Sequence, residues 1–231
     1  MLANWFPNVA SIWPQFVQAT WETLYMTFWS AVIAGVLGLG TGIFLVVTQP
    51  GGINADPPFY SFLDKVVNLL RSVPFIILLA VMAPVTKYIV GTTVGTPAAL
   101  VPLIVGIFPF YARQVQNALL SIEPSVIEAA QAMGSSTTEI IFRIYLRECL
   151  PDIIRVSVVT IISLLGLTTM AGAIGSGGLG DIAISVGYAR FENDVTIAAL
   201  LVILVLVFMT QIIGDWVARR VERLLYQTIH I

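Results

Sequence analysis

Charge is what this sequence has least of. Of 231 residues only 10% are Asp, Glu, Lys or Arg, whereas 58% are hydrophobic and the mean hydropathy is +0.92. A soluble chain carries roughly 25% charged residues, so this one lacks the polar surface that a water-exposed globule needs and reads as a membrane protein. A net charge of −2, with no basic run and no acidic tail, argues against nucleic acid as a partner. Reactive side chains are equally scarce. The lone cysteine, Cys149, allows no internal disulfide and no thiolate metal cluster, and the lone histidine, His230, sits one residue from the C-terminus. Neither a metal site nor Ser-His chemistry is expected. Lys65 precedes Val66 and Lys87 precedes Tyr88; with no other lysine, a Gly-Lys-Ser/Thr phosphate loop cannot be written. The chain is therefore not expected to be an enzyme, and it has no catalytic residues to nominate. Residues 1–20 hold no Lys or Arg and no short apolar core ending in small residues, so they do not read as a cleaved signal and are expected to be retained.

What the sequence does contain is long apolar runs. Five stretches, Trp21–Thr48, Val66–Val85, Ala98–Leu120, Ile153–Ile174 and Val195–Val217, are long enough to cross a hydrocarbon core of roughly 30 Å, which takes about 20 helical residues. The expected fold is an all-α polytopic membrane protein with five transmembrane helices. Asn68, Arg71 and Pro74 weaken the second span, although Arg71 lies near one end, where it can snorkel to the headgroups. With the N-terminus outside and the C-terminus cytoplasmic, the basic residues Lys65, Arg71, Arg113, Arg143, Arg147, Arg155, Arg219, Arg220 and Arg223 face the cytoplasm, and only Lys87 and Arg190 lie outside. The reverse orientation inverts that balance. Trp5, Trp13, Trp21 and Trp216 fall where interfacial anchors belong, though lipid-facing bulk would look the same. No repeat or second domain is evident, so residues 1–231 read as one transmembrane domain.

Two segments differ from the rest: residues 121–152 on the cytoplasmic side and 175–194 outside. In the first, Ser125 and Glu128 make an S-x-x-E box at the start of a helix that Gly134 stops, and Ser136 with Glu139 starts a second helix running toward Pro151. Ala129, Ala130 and Met133 make a small apolar patch. Such a patch suits docking into a groove of another protein, and it equally suits an elbow packed on its own bundle. In the second segment Gly175-Ser176-Gly177-Gly178-Leu179-Gly180 matches G-x-G-x-x-G formally, but it follows a membrane helix rather than a strand. Nucleotide binding is set aside in favour of tight turns and the close approach of another chain.

Along the fourth span, Ser157, Thr160, Leu164, Thr168 and Ala171 share one face at about 100° per residue. The face can line a solvated path, with Ser157, Thr160 and Thr168 as pathway candidates, or form a small-residue packing seam. The pairs Ala31/Gly35 and Gly38/Gly42 suggest close helix packing in the first span, and Pro102 and Pro109 suggest bends in the third.

Glu128-Ala129-Ala130, then Gly134, Ile144 and Leu146 resembles the EAA loop of the membrane subunits of ABC importers. The family pattern ends Ile-x-Leu-Pro; here Arg147 follows Leu146, and Leu150-Pro151 comes later. Arg71-Ser72-Val73-Pro74-Phe75, Ile89-Val90-Gly91-Thr92 and Met170-Ala171-Gly172-Ala173 with the glycine run extend the resemblance to the methionine-importer subgroup, over most of the chain from about Asp64 to Arg220. The resemblance implies a permease subunit of an ATP-driven ABC importer that moves an amino acid, methionine by subgroup, inward across a bacterial cell membrane. It implies a second copy of this chain, two ABC ATPase subunits that bind ATP and Mg, and an external substrate-binding lipoprotein. Glu128, Ala129, Ala130, Met133 and Gly134 would form the coupling helix, and Met170, with Leu167 one turn earlier, would be gate candidates. A neutral zwitterion with a thioether side chain suits a low-charge pathway, as other apolar amino acids would. The competing classes are an ion-coupled secondary transporter or channel, which normally needs midplane ionisable groups or an inverted repeat that are not apparent, and a membrane assembly protein that recruits a soluble partner.

Overall fold

The computed structural model describes residues 5–229, with side chains described through residue 225; His230 lies outside the described residues. All regular structure among them is helical. A short α1, Pro7–Ser11, leads into α2, Trp13–Thr48, whose 36 residues run about 54 Å at 1.5 Å per residue. It starts at Trp13 rather than Trp21, because Gln15 and Gln18 are sound helix formers that hydropathy alone leaves out of a span.

The second span departs most from expectation. In place of one helix over Val66–Val85 there are two, α3 Pro57–Ser72 and α4 Phe75–Val90, bent by 110° at the break between them. Pro74 is the cause. It lacks an N–H, it disfavours the helical region for Val73, and its own ψ of 132° is extended; its carbonyl then accepts the N–H groups of Ile77 and Leu78 to start α4. α3 is amphipathic, burying Val67 while Lys65, Asn68 and Arg71 stay exposed. Among the described residues four helices are long and apolar enough to cross a membrane, or five when the bent pair counts as one span.

The remaining elements follow the sequence more closely. α5, Thr96–Leu119, runs through Pro102 and Pro109 without a break. α6, Pro124–Ala132, and α7, residues 137–148, form the elbow of the 121–152 segment, α7 passing through a π-helical stretch at Ile140–Tyr145. α8, Leu150–Ala171, ends in a π turn over Gly172–Ser176. α9, Gly178–Asp181, continues as a π-helical stretch over Ile182–Tyr188, and α10, Asn193–Ile229, closes the chain. α10 extends well beyond the expected Val195–Val217 because its polar continuation, with Arg219, Arg220 and Arg223, keeps good helix formers.

The contacts gather into two compact units. One comprises the residues up to Ile33, Val73–Ile107 and Ile161–Thr210. Its core joins Val9, Phe16 and Ala19 to Leu179, Ile182, Val186, Val195 and Ala199. The backbone N–H and side-chain amide of Asn8 each donate to Asp194 at 2.9 Å and tie α1 to the start of α10. The other comprises Ala34–Ser72, Phe108–Thr160 and the residues from Gln211 on. Its core holds Val46, Tyr111, Val115, Leu119, Ile127, Ala130, Ile140 and Tyr145. Within it Arg113 donates to Asp64 at 2.5 Å, to Asn68 at 3.0 Å and to Gln116 at 2.6 Å, so α3 is held to α5 by a partly buried ion pair with amide support.

Gly38 and Gly42 sit where α2 meets α5. A Cβ on Gly38 would lie 2.8 Å from Tyr111 Cδ1, and one on Gly42 would lie 2.8 Å from both the Ala112 carbonyl and Val115. Gly35 differs from its expected role: a Cβ there meets nothing within 4 Å, so the Ala31/Gly35 pair is not a close contact of this chain. Accordingly, Gly42→Leu is expected to destabilise the detergent-purified chain by about 1–3 kcal/mol, the usual cost of overpacking. Gly35→Ala carries no such steric cost, and thermal unfolding that ranks the two the other way would contradict the packing.

Candidate functional site

Two places gather the residues singled out in the sequence, and each lies within one of the two units. The first is the α6–α7 elbow. α6 opens two residues earlier than expected, with Pro124 in its first turn and Glu123 at the N-cap, so Ser125 lies inside the helix and makes no capping box with Glu128. The Ser125 hydroxyl instead donates to Glu123 Oε2 at 3.3 Å. Proline takes over the start because its missing N–H is one the first turn leaves unpaired in any case.

The other end of α6 follows the sequence. Gly134 adopts φ +83°, and the Ser135 N–H reaches back to the Ala130 carbonyl at 3.0 Å, a left-handed glycine stop. The Ser136–Glu139 box is complete, with Ser136 Oγ accepting the Glu139 N–H at 3.3 Å and Glu139 accepting the Ser136 N–H at 3.0 Å. Backbone and hydroxyl hydrogen bonds from Ser136 hold the Glu139 carboxyl below its ordinary value. The sign follows from a depressed folded-state value: the box contributes fully above the ordinary glutamate range and is lost as pH falls through the lowered one. Where the EAA pattern would place a proline, Arg147 lets α7 continue to Glu148; Cys149 then breaks the helix, and Pro151 sits in the first turn of α8, where it is tolerated.

Burial divides the apolar patch of α6 in two. Ala130 is 3% exposed and Ile127 9%, both in the core with Ile140 and Tyr145, so Ala130 anchors the elbow to its own chain and is not on a free surface. Met133 is 80% exposed, Val126 45%, and Ala129 and Glu128 are also exposed. Spaced at i, i+3 and i+7, Val126, Ala129 and Met133 form one outward apolar stripe. Phe142 of α7, also exposed, was not singled out from the sequence.

The second place is the glycine segment. Gly175, Gly177 and Gly178 all have positive φ, between +80° and +92°. The segment is clamped to α2: Gly178 N–H donates to Glu22 Oε2 at 2.7 Å, and Leu179 N–H donates to Thr23 Oγ1 at 2.8 Å. Gln18 donates to the other Glu22 oxygen at 2.9 Å. The contact leaves no room for side chains, since a Cβ on Gly178 would lie 2.7 Å from Thr23 Oγ1 and one on Gly180 would overlap the Thr169 carbonyl. The close approach expected of the glycines is thus made by the chain's own first long helix. Glu22 and Thr23 were missed in the sequence, although Glu22 is the only charged residue of α2 and an ionisable group in a span is itself a signal.

The stripe of α8 faces inward. Thr160 is 7% exposed, Leu164 0%, Thr168 1% and Ala171 0%. Ser157 shares a 2.7 Å hydrogen bond with the Tyr111 hydroxyl and also donates to Ile153, while Thr160 and Thr168 donate to the carbonyls of Val156 and Leu165. Within this single chain Thr160 and Thr168 are buried and Ser157 is half-buried. The outward side of the same helix carries Met170, 37% exposed, with Gly166, where a Cβ meets nothing within 4 Å, one turn earlier; Leu167 is half-buried beside them.

The family described as the binding-protein-dependent transport system inner membrane component matches residues 38–223. The chain belongs to this family. It is 40% identical over 96% of its length to the probable D-methionine transport system permease protein MetI of Vibrio cholerae, and it covers 97% of that protein. It is 43% identical, over 96% of its length and 100% of the relative, to the methionine import system permease protein MetP of Bacillus subtilis. A structure of the MetNI methionine ABC transporter in an inward-facing conformation superposes with a TM-score of 0.89 at 43% identity, covering 91% of this chain and 98% of that one. An amino acid ABC transporter shares the fold at 16% identity and a TM-score of 0.76.

Glu22→Ala is expected to leave the Gly178 N–H unpaired and to cost about 1–3 kcal/mol. Glu22→Gln, which keeps an acceptor oxygen, is expected to cost much less. Equal unfolding temperatures for wild type and Glu22→Ala in detergent would show that the clamp does not hold the segment.

Proposed function

We propose that this chain is the membrane permease subunit of an ATP-driven importer of methionine, and that its 231 residues work as one transmembrane domain with the N-terminus outside. The observation that carries the proposal is the α6–α7 elbow. Ile127 and Ala130 fasten one side of α6 to the chain's own core, while Val126, Ala129 and Met133 face away from it. A short helix anchored on one side and apolar on the other can transmit a push from a partner into the helices that flank it, α5 and α8. The names of the MetI and MetP relatives, and the MetNI structure, support an ATPase partner and methionine as cargo. The ATPase subunit, in two copies with ATP and Mg, would supply the phosphate loop that the sequence cannot provide. A second copy of this chain and an external binding lipoprotein complete the proposed assembly.

Met170 is the proposed gate. Its exposure on α8, with open space at Gly166 one turn earlier, supports a role in narrowing a passage that a second copy would complete. Leu167, half-buried, would back it, and Ser157, Thr160 and Thr168 would hold α8 to its own chain. A flexible thioether is a suitable plug because it repacks without unsatisfied polar groups.

The different burial of Met133 and Ala130 supports separate tests of coupling and folding. Met133→Asp, on the free stripe, is expected to lower co-purification of the ATPase subunit by tenfold or so, about 1.4 kcal/mol, with the permease still inserted and folded. Ala130→Asp is expected instead to reduce the yield of folded permease, because it puts a carboxylate in the core. Full ATPase capture by Met133→Asp would remove α6 from the coupling role. Met170→Ala is expected to raise substrate leak through the assembled transporter, and an unchanged leak and transport rate would return Met170 to packing.

A further inference from the structure

α10 is longer than a membrane needs. From Val195, about 20 residues cross a hydrocarbon core of roughly 30 Å, which brings the helix to the headgroup region near Gly214. There the exposed face changes character along one line. Ile212, Ile213 and Trp216 are 66%, 56% and 56% exposed, and the next turns of the same face carry the exposed Arg219, Arg220 and Arg223. Trp216, Arg219, Arg220, Arg223 and Leu224 border one open surface depression on this helix face. The Arg220 guanidinium lies over the Trp216 ring at 5.3 Å from its centroid, which fixes one cation at the edge of the apolar stretch.

Among the described residues the three guanidiniums have no carboxylate of their own. The neighbouring acids are engaged elsewhere: Asp215 accepts from Gln211 at 3.0 Å, and Glu222 accepts from Arg155 at 2.7 Å. Among the described residues none of the three arginines forms an ion pair. Three unpaired cations directly below an apolar, tryptophan-edged helix face match a molecule with an anionic phosphate head and an acyl tail. We propose that Trp216, Arg219, Arg220 and Arg223 form a site for an anionic phospholipid, the phosphate held by the guanidiniums and the acyl chain lying along Ile212 and Ile213. An acidic segment of a soluble partner could meet the arginines, but it could not cover the apolar residues one turn deeper in the membrane.

The test titrates the detergent-purified, full-length permease–ATPase complex with phosphatidylglycerol and with phosphatidylcholine, reading bound lipid by native mass spectrometry. Wild type is expected to prefer phosphatidylglycerol, and the triple variant R219Q/R220Q/R223Q to lose about a hundredfold in phosphatidylglycerol affinity, near fivefold per cation at an anionic surface, with phosphatidylcholine unchanged. R219K/R220K/R223K, which keeps the charge, is expected to retain most of the preference and reports on folding. Equal binding of both lipids by wild type would overturn the site, as would an unaltered preference in the glutamine variant. Competition by millimolar inorganic phosphate as strong as that by the lipid would assign the arginines to a soluble anion. Loss of the ATPase subunit from the glutamine variant with lipid binding intact would assign them to a protein contact.

Discussion

A chain in hydrocarbon has no water to complete its backbone hydrogen bonds, so every stretch that is not helical must find donors and acceptors within the protein. With 10% charged residues, this sequence has few groups for the task and concentrates them. Glu22 and Thr23 take up the amides of Gly178 and Leu179, and the Pro74 carbonyl takes up those of Ile77 and Leu78 where the second span breaks. Ser136 and Glu139 do the same at the corner of the elbow. At each of these three breaks a side chain or a carbonyl answers the freed amides.

That constraint explains the separation of rigid and free surfaces. Ser157, Thr160 and Thr168 of α8 give their hydroxyls to carbonyls of their own helix and to Tyr111, whereas Met170 stands exposed and a Cβ on Gly166 would meet nothing within 4 Å. α6 shows the same economy on a smaller scale: two buried residues secure it, and three exposed apolar ones remain. Surfaces that a monomer leaves apolar and open on a helical face are the ones an assembly can use.

Much of this was legible in the sequence because it follows from local rules. The glycine stop at Gly134 and the Ser136–Glu139 box are set by neighbours three or four residues away, and the spans near Ala98, Ile153 and Val195 by hydropathy alone. The break at Pro74 was also local, but an apolar run on both sides outweighed it in a hydropathy reading. What stayed hidden depends on which face meets which helix. Ala129 and Ala130 are chemically identical, yet one is exposed and the other buried, and only the angle of α6 against α5 and α7 decides it. The same holds for the stripe of α8, where hydroxyl residues suit a wet path and a dry seam equally. Ser125 was misplaced because Pro124 competes for the same helix start.

The account rests on the chain being a conduit driven from outside itself. The most direct measurement is methionine uptake into proteoliposomes that contain this permease, its ATPase subunit and the external binding protein, with ATP supplied on the ATPase side. The prediction is accumulation that requires ATP and all three components, and that is indifferent to a proton gradient. Uptake by the permease alone, driven by a proton gradient without ATP, would contradict it.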